Sequence, residues 1–144
     1  MQLTKFSDYA LRVLMYAQAA DDRLVTIDEM AASYEISRAH LMKVVNSLTR
    51  AGYLTAVRGR AGGLKLAKSA EEIVLGDVVR HTEPDMNIVE CFSTSNQCVI
   101  SGCCRLSAVL QQAVDAFLSE LDQHTLASVA LQRKDFRSIL APSQ

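Results

Sequence analysis

The chain has 144 residues, 49% of them hydrophobic, and a formal net charge of −1. That suffices for one compact domain, or a small domain with an oligomerisation arm, without disulfide staples. No secretory leader and no bilayer-length apolar run is present; a membrane partner is therefore not expected, and the four cysteines should lie in a reducing cytoplasm, where clustered thiols bind metal or react.

Phe6 to Ala20 predicts an amphipathic helix, with Phe6, Tyr9, Ala10, Val13, Leu14 and Ala17 along one face. Asp21-Asp22 breaks the pattern. Thr26 followed by Glu29 is a capping-box signature, opening a short helix with Ile27, Met30, Ala31 and Tyr34 inward. After a turn at Glu35-Ile36, Ser37 can cap a third helix running to about Ala51. That helix buries Leu41, Val44, Val45 and Leu48, and Gly52 is its natural stop.

Two short capped helices joined by a tight turn predict a helix-turn-helix. The outer face of the second carries Ala39, Lys43, Asn46, Ser47 and Arg50, with Arg38 and His40 near its N-terminal end, the part that usually meets base edges. A helical hairpin in an unrelated bundle would share the pattern. Leu54–Arg58 and Leu64–Ala67 then alternate around Gly59-Arg60-Ala61-Gly62-Gly63, which predicts a β-hairpin with Arg58 and Arg60 at its tip. A hairpin directly after a recognition helix is the wing of a winged helix, and arginine suits a narrow minor groove. Neither nucleotide-phosphate signature is present to support a phosphate-cradling loop instead. From Arg38 to Lys68 seven basic residues occur and no acid, the pattern of a phosphate-facing surface; alone it would equally describe a solvated basic face.

Ser69 to Glu83 predicts a short connector and then a helix containing Asp77, Val78 and Val79, ended by Pro84. Met86 to Val89 reads as a short extended piece, and Cys91 to Gly102 as a polar loop with no packing pattern of its own, which therefore needs another reason to be ordered. Cys104 to about Leu126 predicts a long helix with Leu106, Val109, Leu110, Ala113, Val114, Phe117 and Leu121 on one stripe. A small winged helix does not need that much apolar surface for its own core. The stripe is read as an arm for a two-fold dimer, which suits palindromic DNA, against the alternative of packing on its own N-terminal domain.

The cysteines read C-x6-C-x5-C, with Cys103 directly before the last. Soft thiolates select zinc, copper(I) or iron–sulfur clusters. Structural zinc prefers paired spacings such as C-x2-C, which are absent; wider steps wrap something larger than one ion and favour a cluster. Adjacent cysteines point apart, so one of Cys103 and Cys104 is expected to bind. Four thiols in fourteen positions on a polar loop argue against buried small hydrophobes.

The opening Met1-Gln-Leu-Thr-Lys-Phe-Ser-Asp-Tyr-Ala-Leu-Arg-Val-Leu resembles the iron–sulfur winged-helix repressors that include NsrR and IscR. So do Ser37-Arg-Ala-His-Leu-Met-Lys-Val-Val, Arg58-Gly-Arg-Ala-Gly-Gly-Leu and Cys104-Arg-Leu, and the similarity spans nearly the whole chain. The resemblance implies a mainly α fold in three parts: a winged helix-turn-helix with connector at 1–83, a cluster loop at 84–103, and a dimerisation helix with tail at 104–144. It implies a homodimer with one iron–sulfur cluster per subunit, [4Fe-4S] favoured and [2Fe-2S] the alternative. Matching Cys-Arg-Leu selects Cys104, giving Cys91, Cys98 and Cys104 as ligands.

In the IscR branch a histidine stands three residues after the last cysteine; here that position is Ser107. The NsrR branch, which senses nitric oxide, implies an N-terminal aspartate from the other subunit, and Asp8 matches it, with Arg12 orienting the carboxylate. Asp8 and Arg12, four apart on a helix, would also make an ordinary surface pair. The implied function is a repressor that releases a palindromic promoter when nitric oxide nitrosylates the cluster. DNA contacts are expected from Ser37, Arg38, His40, Lys43, Arg58 and Arg60. Rival readings keep the fold but sense iron–sulfur status or oxidants, or use zinc or bare thiols. An enzyme is not expected: His40, His81 and His124 are scattered and no catalytic set accompanies them.

Overall fold

The computed structural model of the chain describes residues 1–140, with side chains to Ser138; the last four residues of the expected tail lie outside the described residues. Helix α1 (Lys5–Ala19) begins where Thr4 Oγ1 accepts from the Ser7 amide. Helix α2 (Ile27–Tyr34) opens with the expected capping box between Thr26 and Glu29 and ends at Glu35, whose backbone is left-handed at φ 54°. Ser37 then caps helix α3 (Arg38–Arg50) by accepting from the His40 amide at 3.2 Å. Gly52, at φ +81°, supplies the positive dihedral that lets the chain leave α3.

Strands β1 (Leu54–Val57) and β2 (Gly63–Leu66) pair antiparallel with Leu54 opposite Leu66 and Val57 opposite Gly63. Each strand ends one residue before the expected boundary, so Arg58 belongs to the turn. Val25 joins this hairpin through two backbone hydrogen bonds with Leu64, at 2.7 and 2.9 Å, which fixes the wing against the start of α2. The connector is a 3₁₀ turn at Ala70–Glu72, and helix α4 (Leu75–Thr82) stops at Glu83, before Pro84.

The core is built from α1, α3 and α4 with the wing beneath: Ala10, Val13, Leu14, Leu41, Val44, Leu48, Leu54, Ile73 and Val78 are all at most 2% exposed. Ser7 is fully buried as well, its Oγ accepting from Thr82 Oγ1 at 2.8 Å. Hydrophobic periodicity could not mark it, because a buried polar residue is acceptable only once a partner from a distant helix satisfies it.

Beyond Pro84 the expectations need correction in three places. The piece from Met86 to Val89 is not extended throughout: the Ile88 amide turns back to the Met86 carbonyl at 3.0 Å. The long helix, α5 (Leu106–Asp122), starts two residues after Cys104 and ends four before Leu126. Leu126 sits in a separate 3₁₀ turn, Leu126–Val129, fully buried, with its amide bonded to the Ile73 carbonyl at 2.8 Å. The last helix, α6 (Arg133–Leu140), was not expected. It returns to α1: Phe136 meets the Tyr16 ring edge-on at 4.7 Å between centroids, and Arg133 pairs with Asp21. The C-terminal third thus sends two anchors, Leu126 and Phe136, into the N-terminal core. Among the described residues no helix is long and apolar enough to cross a membrane.

Candidate functional site

The expected DNA face is present as a surface. Ser37, Arg38, Ala39, His40, Lys43, Asn46 and Arg50 are exposed on α3 or at its cap, while Leu41, Val44, Val45 and Leu48 hold the opposite side in the core. Arg58 and Arg60 are exposed on the wing turn. Arg38 and Val57 line one shallow groove of about 240 Å³ together with Thr26, Asp28 and Gly63. The N-terminal end of α3 and the base of the wing therefore share a surface, as a reader of adjacent grooves requires.

Two details depart from the expected face. Ser47 is half-buried, and its hydroxyl lies 3.0 Å from His81 Nε2 on α4. More consequentially, Arg38 Nε donates to Asp28 Oδ1 at 2.6 Å. The all-basic stretch from Arg38 to Lys68 gives no sign of that acid, because it comes from the preceding helix.

The four cysteines are free thiols; Cys91 and Cys104 are half-buried, Cys98 and Cys103 exposed. Cys91 lies in a 3₁₀ turn, Glu90–Phe92, and the loop beyond it is held by short polar contacts. Asn96 Oδ1 accepts from the Cys98 amide at 2.9 Å, Asn96 Nδ2 donates to Ser101 Oγ at 2.7 Å, and Ser101 Oγ donates to the Cys98 carbonyl at 2.7 Å. Ser107 spends its hydroxyl on the Cys104 carbonyl at 3.0 Å. The donor chemistry fits an iron–sulfur cluster, since soft thiolates spaced along a polar loop can wrap a polynuclear centre. In the isolated chain, however, no three His, Cys, Asp or Glu side chains among the described residues are gathered in a metal-holding group. Cys91, Cys98 and Cys104 share a loop without converging, and Asp8 does not join them.

Asp8 is in the first turn of α1, with both carboxylate oxygens on Arg12: Oδ1 accepts from Nε at 3.0 Å and Oδ2 lies 2.8 Å from Nη2. The Arg12 guanidinium is about equally distant from the Tyr9 and Tyr34 rings, at 6.0 and 5.9 Å. Tyr34 donates its hydroxyl to the Arg12 carbonyl at 3.0 Å, and burial pushes this phenol up to about 12, with Arg12 opposing and Tyr16 adding. The Asp8 carboxylate is thus held in one orientation by an arginine that is itself held.

The start of α1 is also tied to the end of α4, where the thiol loop begins. Thr4 donates to Glu83 Oε1 through its amide at 2.8 Å and its hydroxyl at 2.9 Å. Beyond the loop, the far end of α5 is clamped to α4 by Arg80, which donates to both oxygens of Asp122 at 2.6 and 2.7 Å. A cavity of about 610 Å³ adjoins the Thr4–Glu83 tie, lined by Met1–Thr4, by 83–88, and by Ala113, Val114 and Phe117 of α5.

A family of regulators described as "Iron-dependent Transcriptional regulator", Rrf2, matches residues 3–132. The chain belongs to the Rrf2 family. Two curated relatives carry the name HTH-type transcriptional regulator NsrR. That of Bacillus licheniformis is 45% identical over 143 residues, covering 98% of this chain and all of the relative. That of Geobacillus kaustophilus is 46% identical over 142 residues and 97% of each chain. Among solved structures, CymR, the global cysteine regulator of Bacillus subtilis, superposes with a TM-score of 0.72 at 21% identity, over 90% of this chain and 96% of that one, a likeness of fold. The chain is accordingly a transcriptional regulator with a winged helix-turn-helix, and not an enzyme. The Rrf2 match stops at residue 132, just before α6, so the Phe136 anchor lies beyond the matched segment.

Proposed function

We propose that this Rrf2 regulator is a nitric-oxide-responsive repressor, acting as a homodimer on a palindromic promoter and holding one iron–sulfur cluster per subunit through Cys91, Cys98 and Cys104. One observation carries the reading. Among the described residues none between Glu83 and Ala113 is buried, although this segment holds all four thiols and lies between the N-terminal core and the buried Val114, Leu126 and Phe136. Twenty-nine residues with no buried side chain offset little of their own ordering entropy, so the segment calls for a ligand and a second protein surface. A cluster, when bound, supplies the ligand and a nitric-oxide-reactive iron.

The second surface is the α5 stripe. Val114 is buried, but Leu106, Val109 and Phe117 remain 60%, 59% and 41% exposed. That row of apolar side chains on one helix face is what a two-fold partner would cover. The two relatives carry the name NsrR, which supports that branch of the resemblance, and it is the resemblance that implies nitric oxide as the signal. The three-part division at 83/84 and 103/104 is proposed with it, 84–103 being the sensing segment.

Communication with DNA needs a ligand state that favours one arrangement of the heads. The chain carries the connections for it: Glu83 on Thr4 where the sensing segment begins, and Arg80 on Asp122 at the far end of α5, the helix that follows the segment. Asp8, paired with Arg12 one turn after Thr4, is proposed as the fourth ligand, given to the partner's cluster. Ser37, Arg38, His40 and Lys43 would contact the major groove, Arg58 and Arg60 the minor groove.

The test is anaerobic purification, an absorption spectrum and native mass, then nitric oxide titration during promoter binding. A brown dimer that loses DNA affinity in step with nitric oxide uptake is expected. A colourless protein, or one whose DNA binding ignores nitric oxide, would leave a winged-helix regulator and discard the sensor.

A further inference from the structure

Arg38 is the first residue of the recognition helix, and its guanidinium is not free to wander. Nε donates to Asp28 Oδ1 at 2.6 Å, and Nη1 lies 2.9 Å from Met42 Sδ, one turn along α3. Asp28 belongs to the first turn of α2, the other helix of the motif. Both ends of the pair are exposed, 57% and 71% by side chain, so burial does not drive it. As a stabilising contact such an exposed pair is weak. Its consequence is geometric: with Nε on Asp28 and Nη1 on Met42 Sδ, Nη2 has no contact of its own among those that hold the guanidinium, and Nη1 has only the thioether. Thioether sulfur is a weak acceptor and is readily exchanged for a better one.

We propose that Asp28 is a positioning residue for sequence reading, fixing Arg38 so that Nη1 and Nη2 donate end-on to O6 and N7 of one guanine in each half-site. The inference rests on the DNA-binding reading above and adds the base class and the residue that enforces it. Arginine carries many rotamers, and an unrestrained one at the edge of a groove reaches phosphate as easily as a base. A carboxylate beside the DNA also repels phosphates, so it lowers affinity for every sequence while sharpening discrimination at one. In the first turn of α2 the carboxylate also favours the helix N-terminus; the hydrogen bond to Arg38 Nε adds a reason of its own at the DNA face.

The experiment selects duplexes from a randomised pool with the anaerobically purified full-length protein. Single-base-pair variants of the selected site are then titrated against the wild type, Asp28→Asn, Asp28→Glu and Arg38→Ala. Asp28→Asn removes the charge and keeps a polar group at the start of α2, with helix content checked by circular dichroism. Its preference for guanine at one symmetric position should fall by about tenfold, the scale of one misaligned bidentate contact. Affinity for the pool as a whole should rise and the salt slope should stay unchanged. Asp28→Glu should recover part of the preference, and Arg38→Ala should lose the same base and no other.

Uniformly tighter binding by Asp28→Asn with base preference intact would overturn the proposal, making Asp28 a charge restraint alone. Arg38→Ala without loss at any base would overturn it too, by removing Arg38 from base reading. A wild type that selects no sequence at all would instead defeat the DNA-binding reading beneath it.

Discussion

Replacing Gly76 by alanine puts the α4–α5 contact under direct strain. Gly76 is buried as the second residue of α4, and a Cβ there would stand 1.9 Å from Asp122 Oδ1 and 2.9 Å from both Asp122 Cγ and Arg80 Nη1. Asp122 must leave the Arg80 fork, or α5 must shift. Two terms oppose each other. Alanine stabilises a helix relative to glycine by about 0.5 kcal/mol, at the low end because the site is in the first turn. The atoms in the way belong to two exposed side chains, so Asp122 can swing out, and what is lost is an exposed ion pair, a type of contact that contributes about 0–1 kcal/mol. The two terms nearly cancel, and the variant should stay within about 0.5 kcal/mol of the parent. In an Asp122→Ala background only the flexible end of Arg80 is left nearby, and the same change should stabilise by about 0.5 kcal/mol. Urea denaturation of the four proteins under reducing conditions closes the cycle, with a coupling of up to about 1 kcal/mol. Equal stabilisation by Gly76→Ala in both backgrounds would refute the reasoning, because Asp122 would then not press on Gly76.

Val109, 59% exposed, should lose about 1 kcal/mol of burial per subunit when replaced by aspartate in a dimer, or about 2 kcal/mol across the two-fold axis. Analytical ultracentrifugation should show dimer dissociation at least about 30-fold easier, and an unchanged constant would take α5 out of the interface. Cys104→Ala should lose the cluster chromophore while Cys103→Ala keeps it; the reverse result would exchange their roles. Asp8→Ala should alter the chromophore without abolishing it, whereas an unaltered spectrum and nitric oxide response would leave Asp8 as an ordinary partner of Arg12. Burial raises the phenols of Tyr16 and Tyr53 and takes Tyr34 to about 12. The folded state thus prefers the neutral phenol. That contribution is complete below the free phenol value of about 10 and is lost as pH rises through about 12. Thermal melts should fall across this window together with phenolate absorbance; melts flat to the upper end would contradict the burial of Tyr34.

The first two-thirds of the fold is legible in the sequence because local rules govern it. Thr26 with Glu29, Ser37, and Gly52 act within one turn of their own helix, and the three- and four-residue recurrence from Leu41 to Leu48 needs no distant partner to be recognised. The wing is equally local, two short alternating strands around a glycine-rich turn. The thiol loop is legible by the absence of any such pattern, and its cysteines by their spacing.

What tertiary structure alone decided are contacts between residues far apart in the chain. Leu126 looks like the last turn of a long helix, yet the chain breaks at Asp122 so that Leu126 can pack beside Ile73. Phe136 heads a short i, i+3, i+4 apolar set with Ile139 and Leu140, a helical signal in the sequence, but only the Tyr16 ring gives it a place in the core. Ser7 is buried because Thr82, seventy-five residues away, supplies its hydrogen bond. Arg38 belongs to an all-basic run in sequence and to an ion pair in space, since folding α2 against α3 brings Asp28 to it. Hydrophobic period and caps are properties of one segment and can be read from it. Burial of a polar group, and the aim of a charged one, depend on which partner the fold brings within reach, and that is settled only when the helices pack.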